Sequence, residues 1–163
     1  MKERQIHPLG PIYEKDSKIL ILGSFPSVQS RQGAFYYHNP RNRFWKVLSA
    51  VFACPEPRTL EEKRWMLHQT HVALWDVVDS CKIEGSSDTS ICDIVPTDLR
   101  PLLHNTAIRK IFCNGGKAWT LYQRFQLSVT RIEAVKLPST SPANAGYRLP
   151  DLISAWATVK GAS

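Results

Sequence analysis

Between Gly23 and Trp45 the chain gathers Phe35, Tyr36, Tyr37, His38, Phe44 and Trp45, with Asn39 and Asn42 among them and Arg31, Arg41 and Arg43 interleaved. Aromatic faces beside cations suit a nucleobase next to a phosphate, because stacking contributes about 1 to 3 kcal/mol per base and arginine contacts phosphate oxygens. Some of these rings must anchor a core instead. Phe44 and Trp45 are assigned there because they open a helical apolar stripe, which leaves Tyr36 and Tyr37 as site candidates. On residue type alone Asn42 reads as a helix cap, the usual role of asparagine ahead of a helix.

Other reactive residues support weaker readings. Asp76 with Asp79, or Asp88 with Asp93, imitates the paired carboxylates of a glycoside hydrolase, but spacing along a chain does not establish separation in space. Solvated loop carboxylates are the plainer reading. His68 and His71 lie at a helix-to-strand junction and not on one helical face, which favours surface or packing roles over metal ligation. Asn114-Gly115-Gly116 suits either a phosphate-binding turn or a structural strand-to-helix turn. Ser24 lacks the Gly-x-Ser-x-Gly elbow, so serine-hydrolase chemistry is disfavoured.

The elements that must position these residues can be read from apolar periodicity. Ile19 to Leu22 is a continuous apolar run stopped by Gly23-Ser24-Phe25-Pro26-Ser27, as expected of a central parallel strand buried on both faces. A helix is predicted from Asn42, with Phe44, Trp45, Val47, Leu48, Val51 and Phe52 on its apolar face, ending before Pro55 and Pro57. Thr59 and Glu62 form a capping-box signature for a second helix with Leu60, Trp65, Met66 and the stem of Lys63 facing the core. His71 to Val78 reads as a strand; residues 79–95 lack a long periodic pattern but contain Glu84-Gly85-Ser86-Ser87-Asp88, a surface loop with turn chemistry. A helix capped by Thr97 runs through Leu103, followed by a strand at 110–113, a helix at 118–125, a strand at 131–137, a loop at 138–146 and a terminal helix at 149–159. Strands alternating with helices require right-handed crossovers, giving an α/β fold of three layers around a four-stranded, mostly parallel sheet. Ligands in such folds bind beyond the carboxyl ends of the strands, so Gly23–Arg43, Asp76–Asp93, Asn114–Gly116 and Pro138–Gly146 are expected to converge.

The length of 163 residues is that of one domain, preceded by an extended segment at 1–17. With 43% hydrophobic and 21% charged residues, the composition excludes disorder. The charge of +7 makes a polyanionic partner plausible. Cys54, Cys81, Cys92 and Cys113 form no Cys-x-x-Cys pair and no usual zinc or iron-sulfur spacing, and they are read as reduced and intracellular. No apolar run approaches the ~18 residues of a membrane span.

Several ordered motifs together resemble the uracil-DNA glycosylase superfamily. They are Gly23-Ser24-Phe25-Pro26-Ser27, Tyr36-Tyr37-His38-Asn39-Pro40-Arg41-Asn42-Arg43-Phe44-Trp45, Leu74-Trp75-Asp76-Val77-Val78 with Ser80 to Ser86, Phe112-Cys113-Asn114-Gly115, and Leu137 to Asn144. The branch they resemble most is the hypoxanthine-DNA (deoxyinosine) glycosylases, with mismatch-specific uracil glycosylases more distant. The superfamily normally carries a water-activating Asp or Asn in the third position of the first motif, where this chain has Phe25. In the hypoxanthine branch the catalytic amide comes instead from the Pro-x-Asn-x-Phe-Trp segment, which selects Asn42.

The resemblance further implies that Tyr37 stacks on an extruded base and that Asp76 reads its edge. Ser24 and Phe25 would contact the base through backbone N–H groups, with Asn114 beside them. Ser139, Thr140 and Ser141 match the loop that contacts the DNA backbone and enters the duplex, and Arg31, Arg41, Arg43 and Arg148 are expected at phosphates. Asn39 stands where relatives more often have His. The implied activity is that of a monofunctional glycosylase excising deaminated bases, hypoxanthine preferred, by base flipping, with Asn42 holding the water through its carbonyl oxygen. No cofactor or metal is called for. The expected partner is double-stranded DNA bearing a damaged base, with single-stranded DNA as a further one, and the expected form is a cytoplasmic monomer, nucleoid-associated if bacterial. The alternatives are a mismatch-type uracil glycosylase and a catalytically silent binder of damaged or single-stranded DNA.

Overall fold

The computed structural model describes residues 2–162. Its strands in chain order are β1 (Glu3–Ile6), β2 (Ile19–Gly23), β3 (Val72–Asp76), β4 (Val78–Ile83), β5 (Cys92–Pro96), β6 (Lys110–Asn114) and β7 (Ala134–Leu137). Four of them form a parallel sheet in the order β3-β2-β6-β7, which is the expected central sheet. All five β2 residues are buried, as a strand covered on both faces requires.

The alternation along β2 divides the core into two layers. Ile19 and Ile21 face one side, packing in a cluster with Phe44, Trp45 and Leu48 of α2 (Phe44–Val51), Met66 and Leu67 of α3 (Leu60–Thr70), and Leu152 and Trp156 of α7 (Leu149–Trp156). Leu20 and Leu22 face the other, clustered with Cys81 of β4, Leu102 of α4 (Arg100–His104), and Leu121 and Tyr122 of α5 (Gly116–Phe125). Each fully buried aliphatic side chain contributes about 1.5 to 3 kcal/mol, so neither layer is dispensable. No helix among the described residues is long and apolar enough to cross a membrane.

Several elements differ from the sequence reading. Residues 79–95, which carry no long periodic pattern, form most of a second, antiparallel sheet in the order β1-β4-β5; the loop expected at Glu84–Asp88 lies between β4 and β5 and runs into a short 3-10 turn at Asp88–Ser90. The β4–β5 pairing shifts register twice, and Ser80 and Cys81 are consecutive buried residues, so the alternation that marks a strand is broken. The segment 1–17 supplies β1, paired to β4, and an antiparallel bridge from Ile12 to Leu74. A one-and-a-half-turn helix, α1 (Val28–Gly33), interrupts the aromatic loop; Ser27 caps it by accepting from the Ser30 N–H. Thr97 does not cap α4: its hydroxyl donates to the Asp76 carbonyl at 2.8 Å, and the helix begins at Arg100. In α3 the Thr59 cap forms as expected, but Trp65 is 64% exposed and Leu67 takes the core position. A short α6 (Leu127–Thr130) delays the last strand to Ala134, and α7 ends at Trp156 in a 3-10 turn.

Trp156 ties the terminal helix to the loop after β7. It is fully buried, lies edge-on to Phe44, and donates its indole N–H to the Pro138 carbonyl at 2.9 Å. Trp156→Ala should cost about 3 to 5 kcal/mol. Trp156→Phe, which keeps most of the volume but orphans the carbonyl, should cost about 1 to 3 kcal/mol. Urea unfolding followed by circular dichroism measures both, and a Trp156→Phe variant as stable as wild type would remove the hydrogen bond from the account.

Candidate functional site

The loops after β2, β3, β6 and β7 meet at the carboxyl end of the sheet around one cavity of about 270 Å³. Register does the first part of the positioning, because parallel pairing sets Gly23 opposite Asp76 and Asn114 opposite Leu137. The turn after β2 is then pinned to the β3–β4 corner, with the Val77 N–H donating to the Gly23 carbonyl at 2.9 Å and the Val78 N–H to the Ser24 carbonyl at 3.1 Å. A buried amide braces the corner from behind: Gln126 donates to the Thr97 carbonyl at 2.7 Å.

A directional chain of hydrogen bonds joins three of the loops. The Thr140 N–H donates to Asn114 Oδ1 at 3.1 Å, which fixes the orientation of that amide. Asn114 Nδ2 donates in turn to Thr140 Oγ1 at 3.0 Å, and the Thr140 hydroxyl donates to Asn42 Oδ1 at 2.8 Å. Asn42 Oδ1 also accepts the Phe44 N–H at 2.9 Å, satisfying the first amide of α2 from one residue before the N-cap, which is Arg43 and not Asn42. Both lone pairs of the Asn42 carbonyl oxygen are therefore engaged, and Nδ2 is the polar atom left to the cavity that Asn42 lines.

Asp76, buried at the end of β3, lines the same cavity. Its Oδ2 lies 2.7 Å from His7 Nε2, with the two side chains only 4% and 2% exposed. Its Oδ1 sits over Gly23, where a Cβ would fall 2.5 Å from that oxygen and 3.3 Å from the Tyr37 hydroxyl. Glycine at 23 is thus a requirement of close approach. Tyr37 holds a left-handed backbone (φ 53°) and packs one ring face on Phe44, with centroids 4.0 Å apart. Its hydroxyl is buried without a well-formed hydrogen bond; burial and the Asp76 carboxylate push its pKa well up, the Asn114 amide opposing weakly. Tyr36, the other aromatic candidate, is a core residue whose hydroxyl donates to the Gly10 carbonyl at 2.9 Å.

Across the cavity, the Ser24 hydroxyl donates to Asp88 Oδ1 at 2.6 Å. Asp88 is an exposed loop residue, as its Gly-Ser-rich surroundings suggested, but its carboxyl also lines the cavity, where desolvation raises its pKa above the usual aspartate range against the pull of Ser24 and Lys117. Phe25 also lines the cavity and packs edge-on to His7. Among the described residues, no group of three or more His, Cys, Asp or Glu could hold a metal.

The structure brings Asn42, Ser24, Phe25, Tyr37, Asp76, Asn114, Ser139, Thr140 and Ser141 to one cavity. The surrounding residues divide differently from expectation. Thr140 is fully buried, so its side chain braces the site and does not face a duplex. Arg43 turns inward: its guanidinium donates to the carbonyls of Ser141, Asn144 and Tyr147, clamping the loop after β7. Arg31 donates to the Gly85 carbonyl at 2.6 Å and lies over the Phe25 ring. Arg41 and Arg148 have exposed side chains, as phosphate contacts need. Asn114-Gly115-Gly116 is a structural turn, with Gly115 at φ 97° and a Cβ there 3.1 Å from Ser139. Two residues of the site escaped the sequence reading, His7 and Asp88.

Residues 11–160 match the family model described as the uracil DNA glycosylase superfamily, and the chain belongs to that family. It is 32% identical over 137 residues to the hypoxanthine DNA glycosylase of Methanosarcina acetivorans, covering 83% of this chain and 86% of the relative. A hypoxanthine DNA glycosylase of Methanosarcina barkeri is 33% identical over 84 residues, 51% of this chain and 53% of that one. The solution NMR structure of an M. acetivorans protein described as a candidate uracil DNA glycosylase superposes with a TM-score of 0.79 at 30% identity, covering 96% of this chain and 99% of the other.

The placement of Asp88 has a measurable consequence. An acid whose pKa is raised by folding costs stability above its ordinary pKa and nothing below it. Asp88→Asn should raise the Tm at pH 7, and the gain should shrink as the pH falls toward about 4 and be gone below it. Thermal denaturation across that range checks this; an unchanged Tm at neutral pH would mean the carboxyl is solvated after all.

Proposed function

We propose that this protein is a monofunctional DNA glycosylase that hydrolyses the N-glycosidic bond of deaminated bases, with hypoxanthine preferred. The observation that carries the reading is the convergence of the Asp76 carboxylate, the Tyr37 ring and the Asn42 amide on one small cavity at the end of the parallel sheet. Family membership and the similarity to proteins named hypoxanthine DNA glycosylase support it. A cavity this small, at the foot of four loops, admits a single base and not a duplex. The nucleotide must therefore rotate out of the stack, which costs least at a damaged or mismatched pair.

The chemistry asks little of a strong base. As the bond from the sugar carbon to the base nitrogen breaks, its electron pair stays on the base and the sugar becomes oxocarbenium-like. Water then attacks a carbon that already carries positive charge and releases its proton afterwards, so orienting the water matters more than deprotonating it. Asn42, locked by the Phe44 N–H and Thr140, offers Nδ2 to the water oxygen; the carbonyl route expected from the sequence is occupied in this arrangement. Asp76 Oδ1 accepts from the ring N1–H of hypoxanthine, and Tyr37 flanks the base plane. Arg41 and Arg148 contact phosphates, giving affinity that falls with salt.

Labelled duplexes containing deoxyinosine, deoxyuridine or deoxyxanthosine, treated with alkali after incubation, provide the test. Strand breaks strongest at inosine are expected. Breaks at uracil alone would favour the mismatch-type uracil enzyme; uracil is the base named in the description of the structural relative. No breaks on any duplex, with binding retained, would leave a silent damage binder. Asn42→Ala should lower single-turnover base release by about 10²-fold or more while leaving DNA binding within a few-fold. An unchanged rate removes Asn42 from the mechanism.

A further inference from the structure

His7 follows β1, outside the parallel sheet, and its backbone N–H donates to the Asp79 carbonyl at 2.7 Å. Its ring is enclosed between Phe25 and Tyr36, at centroid distances of 5.7 and 6.0 Å. The Leu9 N–H donates to Nδ1 at 3.1 Å. A nitrogen that accepts a hydrogen bond carries a lone pair, so the ring proton resides on Nε2 and points at Asp76 Oδ2, 2.7 Å away. The imidazole therefore has a fixed tautomer, set by a backbone donor that cannot reverse its polarity.

Asp76 is constrained in turn. Oδ2 is committed to His7, and Oδ1 projects over Gly23, whose missing side chain leaves the space. We propose that His7 is the positioning residue for base recognition: it holds Asp76 by Oδ2 so that Oδ1 stands as a fixed acceptor for the ring N–H that deamination creates. The inference rests on the glycosylase reading and deepens it. Adenine N1 and cytosine N3 present lone pairs, whereas hypoxanthine N1 and uracil N3 carry hydrogens. An immobilised carboxylate oxygen attracts the second pair and repels the first, so one contact separates both deaminated bases from their parents. Freed to turn about its side-chain torsion, the same carboxylate loses alignment, and a displacement of about 1 Å costs on the order of 10²-fold in rate.

The test compares wild type with His7→Gln, whose amide nitrogen reproduces the reach of Nε2, His7→Leu, which fills the space without a donor, and His7→Asn, whose amide is too short. Two quantities are read: the single-turnover release of hypoxanthine, and the ratio of Kd values for inosine- and adenine-containing duplexes. His7→Leu and His7→Asn should lower the rate about 10- to 100-fold and narrow the binding ratio, and His7→Gln should restore most of both. Adding His7→Leu to Asp76→Ala should cause no further loss. Should His7→Leu fail to fold, the Asn and Gln pair carries the comparison. Equal behaviour of the Gln and Asn variants, or additive losses with Asp76→Ala, would reduce His7 to packing and overturn the proposal while leaving the glycosylase reading intact. If wild type prefers inosine duplexes in a His7-dependent manner but releases no base, the hydrolytic reading fails and the positioning role stands. If it shows no preference at all, both fall.

Discussion

The site depends on a parallel register that sets Gly23 beside Asp76. Strand β2 is buried on both faces and can neither slide nor rotate without exposing its aliphatic residues, so the end of β3 is held against the end of β2 to within the tolerance of a packed core. At that junction the carboxylate approaches the glycine so closely that no Cβ fits. A carboxyl group is thereby buried at the floor of the cavity. Its partner comes from a different sheet: β1, by pairing with β4, delivers His7 to Asp76 from 69 residues away in sequence. The small antiparallel sheet in this sense helps build the cavity as well as covering one face of the fold.

That history explains what could be read in advance. Ile19 to Leu22 declared a buried strand because four consecutive aliphatic residues have few other uses, and Asn42 ahead of the Phe44-Trp45 stripe declared a helix start. The convergence of the four loops followed from topology alone. His7 gave no signal, since a histidine in an extended terminal segment has no local pattern and its meaning comes entirely from a long-range partner. Asp88 was legible only as a loop residue: its neighbours Gly85, Ser86 and Ser87 are residues of an exposed turn, and nothing local reveals that Ser24 lies 2.6 Å from its carboxyl. Trp65 was misassigned because helical spacing does not say which way α3 is rolled against the sheet, and the roll places Leu67 inside.

The basic charge also looks different once its partners are known. Composition counted every arginine alike, but Arg43 and Arg31 spend their guanidinium groups on backbone carbonyls of the molecule itself. Arginine suits that work because its planar fork satisfies several carbonyls at once where a lysine would reach fewer. The net charge remains +7, because a carbonyl neutralises nothing, but fewer cationic groups are free for direct contact, among them the exposed Arg41, Lys46 and Arg148.

The clamp that Arg43 closes on residues 141, 144 and 147 has one more effect. A surface loop rich in serine, proline and alanine would ordinarily sample many shapes, and docking it against another molecule would freeze them out. Here that loss of freedom is incurred when the chain folds, through a single side chain anchored on the first turn of α2. The segment is thereby ordered before any partner arrives, so less of the free energy gained on docking it would be spent on fixing its shape.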